Sequence, residues 1–115
     1  MREILGVDSV VFHTPRLEVV RAFYLEQVGL KIGTYEKGGR TVPDEDESYV
    51  NFDVGGVLLG FERGFTAETG TVVLKVDDLE AVLGRLAARG IQPERRDGPW
   101  AMIRDPEGRG IILQK

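Results

Sequence analysis

The apolar positions along this chain alternate between two periods, and they do so twice. Short β-branched runs, "SVVFH" at residues 9–13 and "TVVLKV" at residues 71–76, read as strands. After each run the apolar spacing changes to the three-and-four step of an amphipathic helix. In the first half Leu17, Val20, Phe23 or Tyr24, and Val28 recur on one face. Thr14 stands as a candidate N-cap, Pro15 follows where a missing N–H costs nothing, and Gly29 closes the helix. In the second half Leu79, Val82, Leu83 and Leu86 form the stripe. Asp77 with Glu80 resembles a capping box there, and Gly90 is placed for a left-handed cap. Three strands are predicted after each helix, near residues 30–35, 49–53 and 57–61, then near residues 92–96, 100–103 and 110–114. Gly55-Gly56 and "DPEG" mark the closing hairpin turns.

The two halves are copies of one unit. Laying "SVVFHTPRLEVV" over "TVVLKVDDLEAV" at an offset of 62 matches Val10 with Val72, Val11 with Val73, Leu17 with Leu79, Glu18 with Glu80 and Val20 with Val82. At an offset of 52, "DVGGVLLGFE" lies over "DPEGRGIILQ", matching Asp53 with Asp105 and Gly56 with Gly108. The second copy has thus lost ten residues. They fall within "TYEKGGRTVPDEDE", a Gly-, Pro- and acid-rich stretch that reads as a loop. The expected fold is α+β, two tandem βαβββ units in a single domain spanning 1–115, unit one at about 7–62 and unit two at about 69–115.

Composition narrows the partners. A chain of 115 residues is the length of one domain able to bury a core without staples. No apolar run approaches the length of a membrane span, and "MREILGVDSV" is too short in apolar residues for a secretory signal. Cysteine is absent, so thiolate and disulfide chemistry are excluded, and a cytoplasmic location is expected. A net charge of -4 draws the chain to neither phosphate backbones nor anionic lipid, so no nucleic acid and no membrane are expected as partners.

The stretches "LEVVRAFYLEQVGLKIG", "VVLKVDDLEAVLGRLAARGI" and "IRDPEGRGIIL" carry a resemblance. With the "FY…VGL" helix end and the "DPEG" hairpin before an apolar strand, the chain resembles the vicinal oxygen chelate superfamily. That group holds glyoxalase I, extradiol dioxygenases, fosfomycin-resistance enzymes and bleomycin-resistance binding proteins. The likeness runs from about Val7 to Gln114. It implies that each unit curls a mixed sheet into half of an open cup with one helix on its outer face. Two units, within a chain or across a dimer, would enclose a ligand cavity.

The resemblance also implies where a metal would sit. Metal-using relatives hold a divalent ion with four side chains, one from the first and one from the last strand of each unit, typically His or Gln and then Glu. In this chain those positions fall on Ser9, Gly60, Thr71 and Ile112. Two hydroxyls, a glycine and an isoleucine offer neither charge nor imidazole to a dication, so no metal and no cofactor are expected. Glu62, two residues beyond Gly60 on the same strand face, is a replacement ligand without companions. The acidic run at residues 44–47 lacks the ligand spacing and central glycine of a calcium loop and reads as a solvated loop.

His13 is the single histidine. Metal ligand, catalytic base, ligand contact and strand-edge residue bonded to backbone are all open to it. Strand alternation puts Ser9, Val11 and His13 on one face, with Ser9 and His13 about 13 Å apart, too far to share an ion. The likeness places His13 at the cavity rim, where glyoxalase-like relatives often carry an arginine, and the repeat makes Lys75 its counterpart. Such a pair suits an anionic or hydrogen-bonding ligand. A two-residue turn at Gly55-Gly56 pairs Val54 with Val57, Asn51 with Gly60 and Tyr49 with Glu62, so Tyr49, Asn51 and Glu62 share the face of the vacant ligand position. Trp100 and Met102 flank the corresponding strand of unit two, and the longer turn leaves their facing open. Trp100 suits either stacking on a planar ligand or core packing.

The leading expectation is a metal-free small-molecule binding protein, similar to the bleomycin-resistance branch that sequesters a drug without altering it and works as a homodimer. Its ligand would be planar and aromatic, or anionic. The alternative is a lyase or isomerase, metal-free with His13 as base or using a divalent metal at a non-standard site. A third class is an interaction module whose cup is filled by its own side chains.

Overall fold

The first β-branched run forms β1 (Ser9–Thr14), followed by β2 (Lys31–Ile32), β3 (Thr34–Lys37), β4 (Arg40–Pro43), β5 (Tyr49–Val54) and β6 (Val57–Arg63). The structure is a computed structural model describing residue 5 and residues 7–115. The chain divides into one unit that extends to Ala67 and a second running Glu68–Lys115. Among the described residues there are ten strands and two α-helices, the first continued by a π-helical segment, and the fold class is α+β.

In unit one the order is β1-β6-β5-β2, with β1 and β6 parallel and the other pairs antiparallel. Helix α1 (Leu17–Ala22) runs on as a π-helical segment over Phe23–Val28. The wider turn ends where Gly29, at φ 88°, donates its N–H to the Tyr24 carbonyl at 3.1 Å. Widening the spiral brings two consecutive aromatics to the sheet, so Phe23 and Tyr24 are both buried where periodicity offered one or the other. Tyr24 stacks on Phe61 with ring centroids 4.5 Å apart, and Phe12 and Phe52 flank that pair. Tyr24, Phe52 and Phe61, with Leu17, Val20, Phe23, Val28, Val50 and Leu59, form the core of the unit, and the half-buried Phe12 borders it.

Two expectations for unit one are corrected. Thr14 is not the N-cap: it ends β1 opposite Arg63, and the cap position is Arg16. The Thr14 hydroxyl instead accepts the Arg16 N–H at 2.9 Å, a turn that the strand pairing leaves room for. The stretch expected to be a loop contains a hairpin, β3 against β4, turning at Gly38-Gly39 with φ of 58° and 76°. Gly55-Gly56 makes the same kind of turn with φ of 63° and 91°, a conformation open to glycine without strain. The strand expected at residues 30–35 is accordingly split between β2, paired to β5, and β3.

Unit two repeats the plan with β7 (Thr71–Lys75), α2 (Leu79–Ala88), β8 (Arg95–Asp97), β9 (Trp100–Arg104) and β10 (Gly110–Gln114). The order is β7-β10-β9-β8, again with its first and last strands parallel. The helix cap is Asp78 rather than Asp77, its carboxylate accepting the Ala81 N–H at 3.1 Å. At the other end Ile91 donates to the Leu86 carbonyl and Gly90, at φ 83°, to that of Ala87, the paired bonds of a Schellman ending. Leu74, Leu79, Leu83, Leu86, Ala101, Ile103, Ile111 and Leu113 form this core. The "DPEG" turn is fastened by Asp105, whose carboxylate accepts the Glu107 and Arg109 N–H groups, while the buried Arg109 guanidinium reaches Asp105, Glu107 and the Glu68 carbonyl.

The duplication is visible in the registers. Val11 lies opposite Gly60 in unit one, and Val73 opposite Ile112 in unit two. Residues related by the two sequence offsets therefore meet at the same step of the same parallel pair. No helix of the described residues is long and apolar enough to cross a membrane.

Candidate functional site

Each sheet turns one face to its helix core and the other away from it. On the outward face of unit one the registers align His13, Glu62 and Tyr49 in one row across β1, β6 and β5, and Val11, Gly60 and Asn51 in the next. Asn51 opposite Gly60 and Tyr49 opposite Glu62 are the pairs expected from the Gly55-Gly56 turn. On the corresponding face of unit two Lys75, Gln114 and Trp100 form one row, and Val73, Ile112 and Met102 the next. Ala101 and Ile103, between and beyond them, are buried in the helix core, so Trp100 and Met102 point away from it and are half-buried. The facing that the sequence left open is thereby decided. By register Tyr49 corresponds to Trp100 and Asn51 to Met102, which makes the row beside the vacant ligand position amide in one unit and thioether in the other.

The polar groups of unit one converge on a residue that sequence reasoning set aside. Asp44 follows β4, and its backbone is held between neighbours: its N–H donates to the Gly33 carbonyl at 2.7 Å and its carbonyl accepts from Asn51 at 3.0 Å. Its carboxylate accepts the Tyr49 hydroxyl at 2.9 Å and the Asn51 Nδ2 at 3.0 Å. The Tyr49 phenol is pushed up to about 12, first by its hydrogen bond to Asp44 and then by desolvation. The other acids of the run go elsewhere. Glu45 pairs with Arg21 of α1, Asp46 accepts the Ser48 N–H and hydroxyl, and the Glu47 carbonyl accepts from Arg63. The solvated loop expected at residues 44–47 is thus a set of separate tethers. The legible signal was Gly38-Gly39 between "TYEK" and "RTVP", a hairpin whose return strand delivers Asp44 to the sheet face.

His13 and Glu62, neighbours in register, bring Nε2 within 3.5 Å of a carboxylate oxygen, with both side chains about half exposed. Lys75 is exposed in the equivalent place.

The superfamily resemblance implies a divalent ion at Ser9, Gly60, Thr71 and Ile112, and the residues do not fit it. Ser9 is a step along β1 from the Val11–Gly60 pair, and Thr71 stands in the same relation to Ile112. Neither unit places an imidazole or carboxylate at these positions. At Gly60 there is also no room: a Cβ built there would overlap Asn51 Oδ1 and touch Val11 Cγ2 at 3.4 Å. Among the described residues no three His, Cys, Asp or Glu side chains gather as a metal site requires.

No protein-family model matches the chain, and no curated protein sequence matches it. Solved structures do share its fold. TnmS3, an antibiotic binding protein from Streptomyces sp. CB03234, superposes with a TM-score of 0.71 at 22% identity, covering 99% of this chain and 98% of that one. A lactoylglutathione lyase from Agrobacterium tumefaciens gives 0.70 at 19%, covering 94% and 91%. A glyoxalase/bleomycin resistance protein/dioxygenase from Nocardioides gives 0.71 at 16%, covering 98% and 84%. The fold is therefore the one that the sequence resemblance implied, that of the vicinal oxygen chelate proteins.

Proposed function

We propose that this protein is a metal-free binder of a small organic molecule, of the antibiotic-sequestering kind, acting in the cytoplasm as a homodimer. The observation that carries this reading is the lining at the four metal-equivalent positions. Glycine and isoleucine stand where carboxylates are required, and Asn51 fills the space over Gly60. The outward face of unit two, with Trp100, Met102, Ile112 and Val73, is suited to a flat apolar ligand. On the face of unit one the candidate contacts are His13, Tyr49, Asn51 and Glu62, and on the face of unit two Lys75, Trp100 and Met102. The fold shared with an antibiotic binding protein supports the same class of ligand.

Thermal unfolding against a panel of planar antibiotics tests the proposal. A ligand present at a hundred times its Kd adds about 2.7 kcal/mol to the folded state, a rise of several degrees in Tm for a domain of this size. Sedimentation of the purified chain is expected to give twice 12.8 kDa. One observation favours the competing lyase or isomerase reading: a carboxylate beside the single imidazole, as a general base would use. An assay for lactoylglutathione formation separates the two. No turnover is expected, and turnover lost in His13→Ala, with no thermal shift from any compound, replaces binding by catalysis.

A further inference from the structure

Asp44 fixes which way its neighbours face. An ionised carboxylate only accepts hydrogen bonds, so Tyr49 must spend its one hydroxyl proton on Asp44, and Asn51 must turn its NH₂ toward it. The amide cannot flip without setting its oxygen against the carboxylate. What remains for a visitor to this face is then mainly acceptors: the phenolic lone pairs of Tyr49, the Asn51 Oδ1, and the Glu62 carboxylate in the same row as Tyr49, beside the second Asn51 amide hydrogen and the His13 imidazole. Asn51 Oδ1 lies over Gly60 and receives no hydrogen bond from any described residue. Gly60 has no left-handed backbone to account for it, so the missing side chain serves the space that this oxygen takes. A patch of oriented acceptors, two of them held by a third group, is built for a ligand that donates.

We propose that the outward face of unit one recognises a cationic, N–H-rich group of the ligand, an amidinium, guanidinium or ammonium, through Asn51 Oδ1, Tyr49 Oη and Glu62. This rests on the small-molecule binding proposed above and names the ligand chemistry of that face. It reverses the charge suggested by His13 and Lys75: the His13 Nε2 lies 3.5 Å from the Glu62 carboxylate, which a cationic ligand would share with the imidazole. The chain's net charge of -4 has the same sign as the proposed site.

Matched aromatic probes that differ only in head group test it by NMR titration of the labelled full-length protein. Benzamidine is expected to give saturable shifts at the Asn51 side-chain amide, Tyr49 and Glu62, and benzoate none there. Asn51→Leu removes the acceptor, and Gly60→Ala pushes it off its seat. Each is expected to weaken benzamidine at least tenfold with the fold retained by circular dichroism, and either variant alone suffices if the other unfolds. Equal shifts from benzoate, no saturable shift at these residues, or unchanged affinity in the folded variants overturns the proposal. Benzoate bound, or benzamidine bound only at Trp100 and Met102, does so while leaving small-molecule binding intact, since that is judged by the antibiotic panel.

Discussion

Asp44 is half-buried and serves two donors, and its influence can be read from Tyr49. A free tyrosine loses its proton near pH 10, whereas Tyr49 in the folded chain holds it to about 12. Between those values the unfolded chain binds fewer protons than the folded one, so stability falls as pH rises. The contribution is whole below pH 10 and lost by about pH 12. Urea unfolding at pH 8, 10 and 11.5 is expected to show a steeper alkaline loss in the natural protein than in Tyr49→Phe, and equal slopes would refute the assignment. In the core Phe61 is fully buried against Phe12, Tyr24 and Phe52. Phe61→Ala should cost about 3–5 kcal/mol, measured as a drop in the denaturation midpoint at unchanged slope.

At the scale of elements, the helix stripes and the Gly-Gly turns were legible because each depends on residues a few positions apart. Helix starts were less so, and both missed for the same reason. Thr14 and Asp77 carry suitable side chains, but strand pairing and backbone direction place the cap one or two residues on. The second start can be tested directly: Asp78→Ala should cost about 1 kcal/mol, while Asp77→Ala stays within about 0.5 kcal/mol. The hairpin β3–β4 was hidden by its composition, since a Gly-, Pro- and acid-rich stretch carries the marks of a loop even when it pairs. Arg109 behaves differently again. It is an exposed-type residue buried beside Asp105 and Glu107 at the turn into β10. Arg109→Ala would leave the buried Asp105 carboxylate without its counter-charge, a loss of about 3–5 kcal/mol by chemical denaturation.

For the molecule as a whole, the duplication predicts its own divergence. The two units keep one register plan while the outward rows differ, Tyr49 and Asn51 in one and Trp100 and Met102 in the other. Equilibrium dialysis against Zn²⁺, Ni²⁺ and Mn²⁺ is expected to leave less than a tenth of an equivalent bound per chain, and stoichiometric retention would overturn the metal-free reading. Sequence alone determined the repeat, the strand and helix stripes and the pairing of Asn51 with Gly60, which follow from local period and turn length, while the resemblance implied that the metal-equivalent positions are Ser9, Gly60, Thr71 and Ile112, whose residue types are poor donors. Only the tertiary structure decided that Phe23 and Tyr24 are both buried, that Trp100 and Met102 face outward, and that Asp44 alone of its acidic run reaches the sheet face. Facing is set by what a distant element covers, and the role of a carboxylate by which donors reach it; neither is written in the spacing of neighbours.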